Sequence, residues 1–164
     1  DWDRETKPDG AMMKFWFSST PETDAEITAN FLGDHEAYMR GDYSGWMYDR
    51  DGAMAAVILL DQWSRNMFRK QARAFASDGK ALEICMHILG NQNMYNSYTI
   101  HEMAWLLLPL EHSEDKKTNC RMITEVEKLD AKIKAEKPEL YEESAKGHLA
   151  LLMKFAKSHN ETIM

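Results

Sequence analysis

Cysteine is nearly missing from this chain: Cys85 and Cys120 are the two it has in 164 residues. Neither belongs to a CxxC pair or a Cys/His cluster, so the sequence has the spacing of neither a zinc site nor a disulfide framework. That favours a reducing compartment, whether cytoplasm or organelle interior. Long apolar runs are missing too. The longest, Ala53 to Leu60, falls well short of the ~20 residues a membrane-crossing helix needs, so the chain is expected not to span a membrane. It could still sit on a membrane-bound assembly. No signal-peptide pattern is visible, although the opening at Asp1 in place of methionine leaves a removed targeting segment open. A basic surplus is absent as well: 20 Lys and Arg stand against 27 Asp and Glu, a net charge of −7. Nucleic-acid binding draws much of its affinity from cations that neutralise phosphates, and this balance speaks against it. No stretch shows the strict alternation or the β-branched runs of a strand.

What is present reads as one helical domain. Hydrophobic residues make up 44% and charged residues 29%, ordinary globular chemistry. Five Trp and twelve Met are many for this length. Methionine fills irregular gaps between helices, so these residues suit either an adaptable core or a plastic binding groove. Residues 1–11 read as a flexible lead-in and 12–164 as a single domain of antiparallel helices. Met12 to Phe17 is apolar enough to dock one short helix. Thr20 is placed to cap a helix with Pro21 at its first position, carrying Ile27, Phe31, Leu32, Tyr38 and Met39 inward and ending near Gly41. Asp42 to Gly52 reads as a loop, and Ala53 to Arg69 as the clearest buried helix. Gln71 to Leu89 follows, with Phe75, Ala76, Leu82, Cys85, Met86 and Leu89 as core candidates, and then a polar turn over Asn91 to Ser97. Thr99 and Glu102 have capping-box spacing, and Pro109 is expected to stop or kink the helix they begin. Lys117 to Lys137 has an apolar stripe over a solvated face. Pro138 opens a last helix to about Lys157, with Leu140, Tyr141, Leu149, Leu152 and Phe155 inward. No fixed-period repeat stands out.

Polar chemistry concentrates in two places. Asp61, Gln62, Arg65, Asn66, Arg69, Arg73 and Asp78 put three arginines and two carboxylates into eighteen residues, at the end of a strongly apolar helix. Asp61 and Arg65 share a helix face, as do Gln62 and Asn66. Such groups either pair with one another and cap a turn, or form a pocket in which guanidinium groups hold a carboxylate or phosphate. Glu111 and His112 form the second place. Adjacent residues diverge on a helix, so the two are not expected to make a dyad by themselves. His112 reads either as a general base or as a helix-end hydrogen-bonding residue. His35, His87, His101, His148 and His159 lack the spacing of a helical metal site, and no metal or cofactor is expected. His148 falls on the apolar face of the last helix.

At these residues the chain resembles a known family. The run AVILLDQWSRNMFR, then ARAFASD, the later LLPLEHSED, and an early FWF followed by Asp24-x-x-Ile27-x-x-x-Phe31 are similar to domain of unknown function 924. That is a mainly bacterial family whose typical motifs read ILLDQFPRNIFR, ARAFxxD and YLPLEHSE. The resemblance implies an all-helical, tetratricopeptide-like fold from Met12 to the C-terminus, and no established reaction. Trp63-Ser64 stands in place of the usual Phe-Pro, the loop after FWF is shortened, and Phe155 to Asn160 is a trimmed version of the family's ending. Where a family pocket is closed by that ending, this chain is expected to have kept the fold and lost the activity. The expected function is a non-enzymatic helical module that binds a protein partner, as an accessory subunit of a larger assembly. The alternative is an enzyme or small-anion binder whose pocket is built from the nine polar residues of the two clusters.

Overall fold

The computed structural model describes residues 20–141 and 146–163, without the side chains of Leu140, Lys146 and His148. The lead-in, the expected helix over Met12 to Phe17 and the placement of His148 therefore lie outside the described residues. Among the described residues every regular element is helical. None of these helices is long and apolar enough to cross a membrane, and Cys85 and Cys120 are not joined in a disulfide. The chain divides into two compact units at the Ser97–Tyr98 link.

The first unit begins with α1, Pro21–Arg40. Thr20 caps it, accepting from the Thr23 N–H, and Pro21 occupies a first-turn position where no N–H is needed. Gly41 closes it at φ 97°, a left-handed conformation that glycine adopts without a Cβ penalty. A 3-10 turn over Ser44–Tyr48 leads into α2, Arg50–Val57. This helix starts earlier than the apolar run implies, because the Asp49 carboxylate accepts from the Gly52 N–H and caps it. α2 widens into a π-helical turn, Ile58–Trp63, then tightens into α3, Ser64–Met67. Lys70, at φ 62°, reverses the chain after α3. A 3-10 turn over Ala72–Phe75 precedes α4, Asp78–Gly90, so the helix expected over Gln71 to Leu89 is broken in two. The expected polar turn after it contains a short helix, α5, Gln92–Asn96, capped by Asn91.

One face of α1 supplies Ile27, Phe31 and Leu32 to a cluster with Leu59, Met67, Phe68, Ala74 and Trp63. Ala53, Ala56, Val57 and Leu60 of the α2 run are buried together with Ala81, Ile84, Cys85 and Ile88 of α4. Three expected core residues are corrected. Phe75 is 60% exposed, and Ala76 and Met86 also face solvent. The break before α4 removes Phe75 and Ala76 from its inward face.

The second unit holds α6, Ile100–Leu106, then α7, Leu108–Glu111, α8, Lys116–Glu136, α9, Pro138–Leu140, and α10, Lys146–Thr162. Thr99 and Glu102 close the capping box at the start of α6. The chain breaks at Leu107 and restarts with Pro109 in the first turn of α7, where the ring costs no hydrogen bond. Asp115 caps α8 through the Thr118 N–H. α8 and α10 pack along each other. Met122, Val126, Leu129 and Ile133 are buried on one, Leu149, Leu152 and Ala156 on the other. Phe155 is a further correction: it is 50% exposed, on the outer side of α10 with Leu151.

Candidate functional site

The π-helical turn organises the first polar cluster. In it the Ser64 N–H reaches back five residues to the Leu59 carbonyl. Wide turns of this kind loosen the carbonyl ladder and often mark functional segments. Here the loosened carbonyls accept side-chain donors. The Ser77 hydroxyl donates to the Leu60 oxygen at 2.6 Å, and Arg65 donates to the Asp61 oxygen. Ser64 donates to the Ala74 carbonyl at 3.0 Å, tying the turn to the segment after Lys70.

Asp61 sits inside this frame with no exposed surface, accepting from the Gln62 amide and facing the Arg65 guanidinium at 3.6 Å. Arg65 in turn grips Asp78 with two parallel bonds of 3.0 and 3.1 Å and lies over the Phe75 ring at 5.4 Å. This forked geometry is the strong form of the guanidinium–carboxylate pair. It also gives Phe75 a use at the surface, as a flat cover for the guanidinium.

The remaining residues of the cluster turn toward α1. Asn66 donates to Asp24 Oδ1 at 2.9 Å, while Arg69 donates to both oxygens of the same carboxylate, at 2.5 and 3.0 Å. That carboxylate holds the Arg69 guanidinium above its ordinary pKa. Asp24 lies in the first turn of α1, where negative charge also favours the helix dipole. Arg73 pairs with Glu36 at 2.8 Å and stacks over the Phe68 ring at 4.1 Å. Its hydrogen bond holds the Glu36 carboxyl below the usual carboxylate range.

The structure therefore brings Asp61, Gln62, Arg65 and Asp78 together, sends Asn66 and Arg69 to Asp24, and sends Arg73 to Glu36. Glu111 and His112 belong to the second unit. They do pair, His112 Nε2 lying 3.1 Å from Glu111 Oε2, against the expectation that neighbours diverge. His112 lies beyond α7 as its cap with a backbone still in the right-handed helical region, so the pair is closed by the reach of the two side chains. No group of three or more His, Cys, Asp or Glu side chains among the described residues is disposed to hold a metal ion.

Four contributors were not singled out as site residues in the sequence. Asp24 carried a signal, as the first residue of the Asp24-x-x-Ile27 motif. Glu36, His35 and Ser77 carried none, since their partners lie 37, 42 and 17 residues away in sequence.

The helical fold and these motifs meet in the comparison with known proteins. The chain belongs to the family described as bacterial protein of unknown function (DUF924), which it matches over residues 2–163. Its fold is similar to that of a solved protein of unknown function from Agrobacterium tumefaciens, with a TM-score of 0.72 at 22% identity. That match covers 89% of this chain and 72% of the other. No curated protein matches.

Proposed function

We propose that this chain is a non-enzymatic helical module that binds a protein partner, as an accessory subunit of a larger assembly. The observation that carries the reading is the fate of the three arginines. Arg65 is taken up by Asp78 and Asp61, Arg69 by Asp24, and Arg73 by Glu36. A guanidinium that serves a small anion needs donors left open toward it. Here Asp78 and Asp24 occupy the forks of Arg65 and Arg69, Glu36 takes one donor of Arg73, and the pairs tie α1 and α4 to the segment that follows the π-helical turn. Large side chains left at the surface support the same reading: Tyr48, 71% exposed, and Met86 in the first unit, with Leu151 and Phe155 in the second. Aromatic residues and Met are over-represented in the buried centres of protein interfaces.

The test is native isolation of the chain from its source cells at natural abundance. The reading requires it to run in a complex far above its own 19.0 kDa; a lone monomer under mild extraction would sink it. Titration of the purified protein with anionic metabolites tests the alternative. Saturable binding lost in both Arg65→Ala and Arg73→Ala would transfer the function to a small-anion site.

A further inference from the structure

His35 lies on α1, buried to 3% exposure, one residue before the exposed Glu36–Arg73 pair. Its Nε2 is 3.3 Å from the Ser77 hydroxyl, and that hydroxyl spends its own hydrogen on the Leu60 carbonyl. The oxygen of Ser77 can then only accept, so His35 Nε2 carries the proton and Nδ1 is left as a bare lone pair. Among the described residues Nδ1 meets no hydrogen-bond partner. The Phe68 ring and the imidazole form a T-shaped pair, with centroids 5.3 Å apart. This side of α1 is thus joined to the π-helical turn by a relay from His35 to Ser77 to Leu60 that works with a neutral imidazole.

We propose that this relay is an acid-release latch: protonation of His35 at Nδ1 unfastens the C-terminal half of α1 from Ser77, while its N-terminal half stays held through Asp24. A proton on Nδ1 would be a second N–H, buried with no acceptor among the described residues, and the charge would lie beside the Phe68 ring that Arg73 already covers. Both cost free energy. The charged groups on the surrounding elements add little relief. Arg73, from the segment before Ser77, repels the imidazolium, and Glu36 attracts it but is itself committed to Arg73. Asp61, Arg65 and Asp78 face one another, Arg69 faces Asp24, and Lys80 donates to the Met39 carbonyl at 3.1 Å. Burial, then Arg73, hold the His35 pKa below the ordinary histidine value, against the smaller pull of Glu36. A depressed histidine pKa means the unfastened state binds the proton more tightly than the fastened one. The latch is therefore fully closed above the ordinary histidine range of about 6.5 and opens as pH falls through the lowered native value.

The experiment is amide hydrogen exchange on the intact chain at about pH 7.5 and about pH 5, expressed as protection factors so that intrinsic exchange cancels. Residues 34–40 should lose protection at least about tenfold at the lower pH while residues 24–30 keep theirs. His35→Gln, which can still donate to Ser77 and does not titrate, should abolish that difference. Unchanged protection over 34–40, or an equal loss in His35→Gln, would overturn the latch. Should that variant not fold, the imidazole titration of the native protein decides by NMR. A His35 that protonates at or above the ordinary value overturns the proposal, and one that protonates below it together with the loss of protection supports it.

Discussion

Replacing Arg65 with alanine withdraws the guanidinium that faces a fully buried carboxylate and at the same time releases Asp78. Breaking a buried ion pair from one side costs about 3–5 kcal/mol, because the remaining charge keeps its desolvation penalty without its counter-charge. The low end applies, since the Arg65 side chain is itself 24% exposed and the Gln62 amide continues to donate to Asp61. The expected loss is about 3 kcal/mol, which for a chain of this size lowers the melting temperature by about 6–12 °C. Arg65→Lys keeps the charge but cannot reproduce the two parallel bonds to Asp78, and should lose about 1–2 kcal/mol. Urea denaturation followed by both helical circular dichroism and tryptophan emission measures these values. If Arg65→Ala stays within about 0.5 kcal/mol of the parent or gains stability, the reasoning fails. A gain is what an arginine kept for a ligand at the expense of the fold would give, because functional sites commonly trade stability for activity.

Lys70 holds φ 62°, a conformation that costs a residue with a Cβ roughly 1–2 kcal/mol. Lys70→Gly should therefore raise stability by about 0.5–1 kcal/mol after the greater unfolded-state entropy of glycine is counted, readable as a higher urea midpoint. Gly52→Ala should cost about 1–3 kcal/mol, since its Cβ would meet the Trp46 carbonyl oxygen at 2.8 Å and Trp46 Cα at 3.0 Å, both backbone atoms with little freedom to move; a neutral thermal shift would show that the 44–48 turn yields. Asp115 caps α8 through the Thr118 hydroxyl and N–H, which hold its carboxyl below its ordinary value. Its contribution should be present above the usual aspartate range and lost as pH falls through the lowered value, so the protection factors of the first α8 amides should fall in acid in the parent and be insensitive to pH in Asp115→Ala.

The helical class was legible because it is written in local chemistry. Thr20 with Pro21 starts α1, Gly41 stops it, Thr99 with Glu102 starts α6, and Pro109 breaks the run that follows. Each of these acts within a turn of itself, so sequence neighbours are sufficient to read them. The pairing of Asp61 with Arg65 was legible for the same reason, being a contact across one helical turn. Other features depended on distant partners. Nothing near Ser77 in sequence marks it as the donor to Leu60, and nothing near His35 marks it as buried.

The sequence by itself determined that this is a helical protein of its family, where several of its helices start or stop, and which stretch concentrates arginines and carboxylates. Those are consequences of spacing, caps and composition, which act over a few residues. The tertiary structure alone decided what the concentration means. Packing α1 against the π-helical turn brought Asp24 and Glu36 onto Arg69 and Arg73, and the break after Lys70 brought Asp78 onto Arg65. A charge reads as an open site or a closed pair only when its surroundings are known, because its free energy depends on the groups and the solvent within a few ångströms, wherever they lie along the chain.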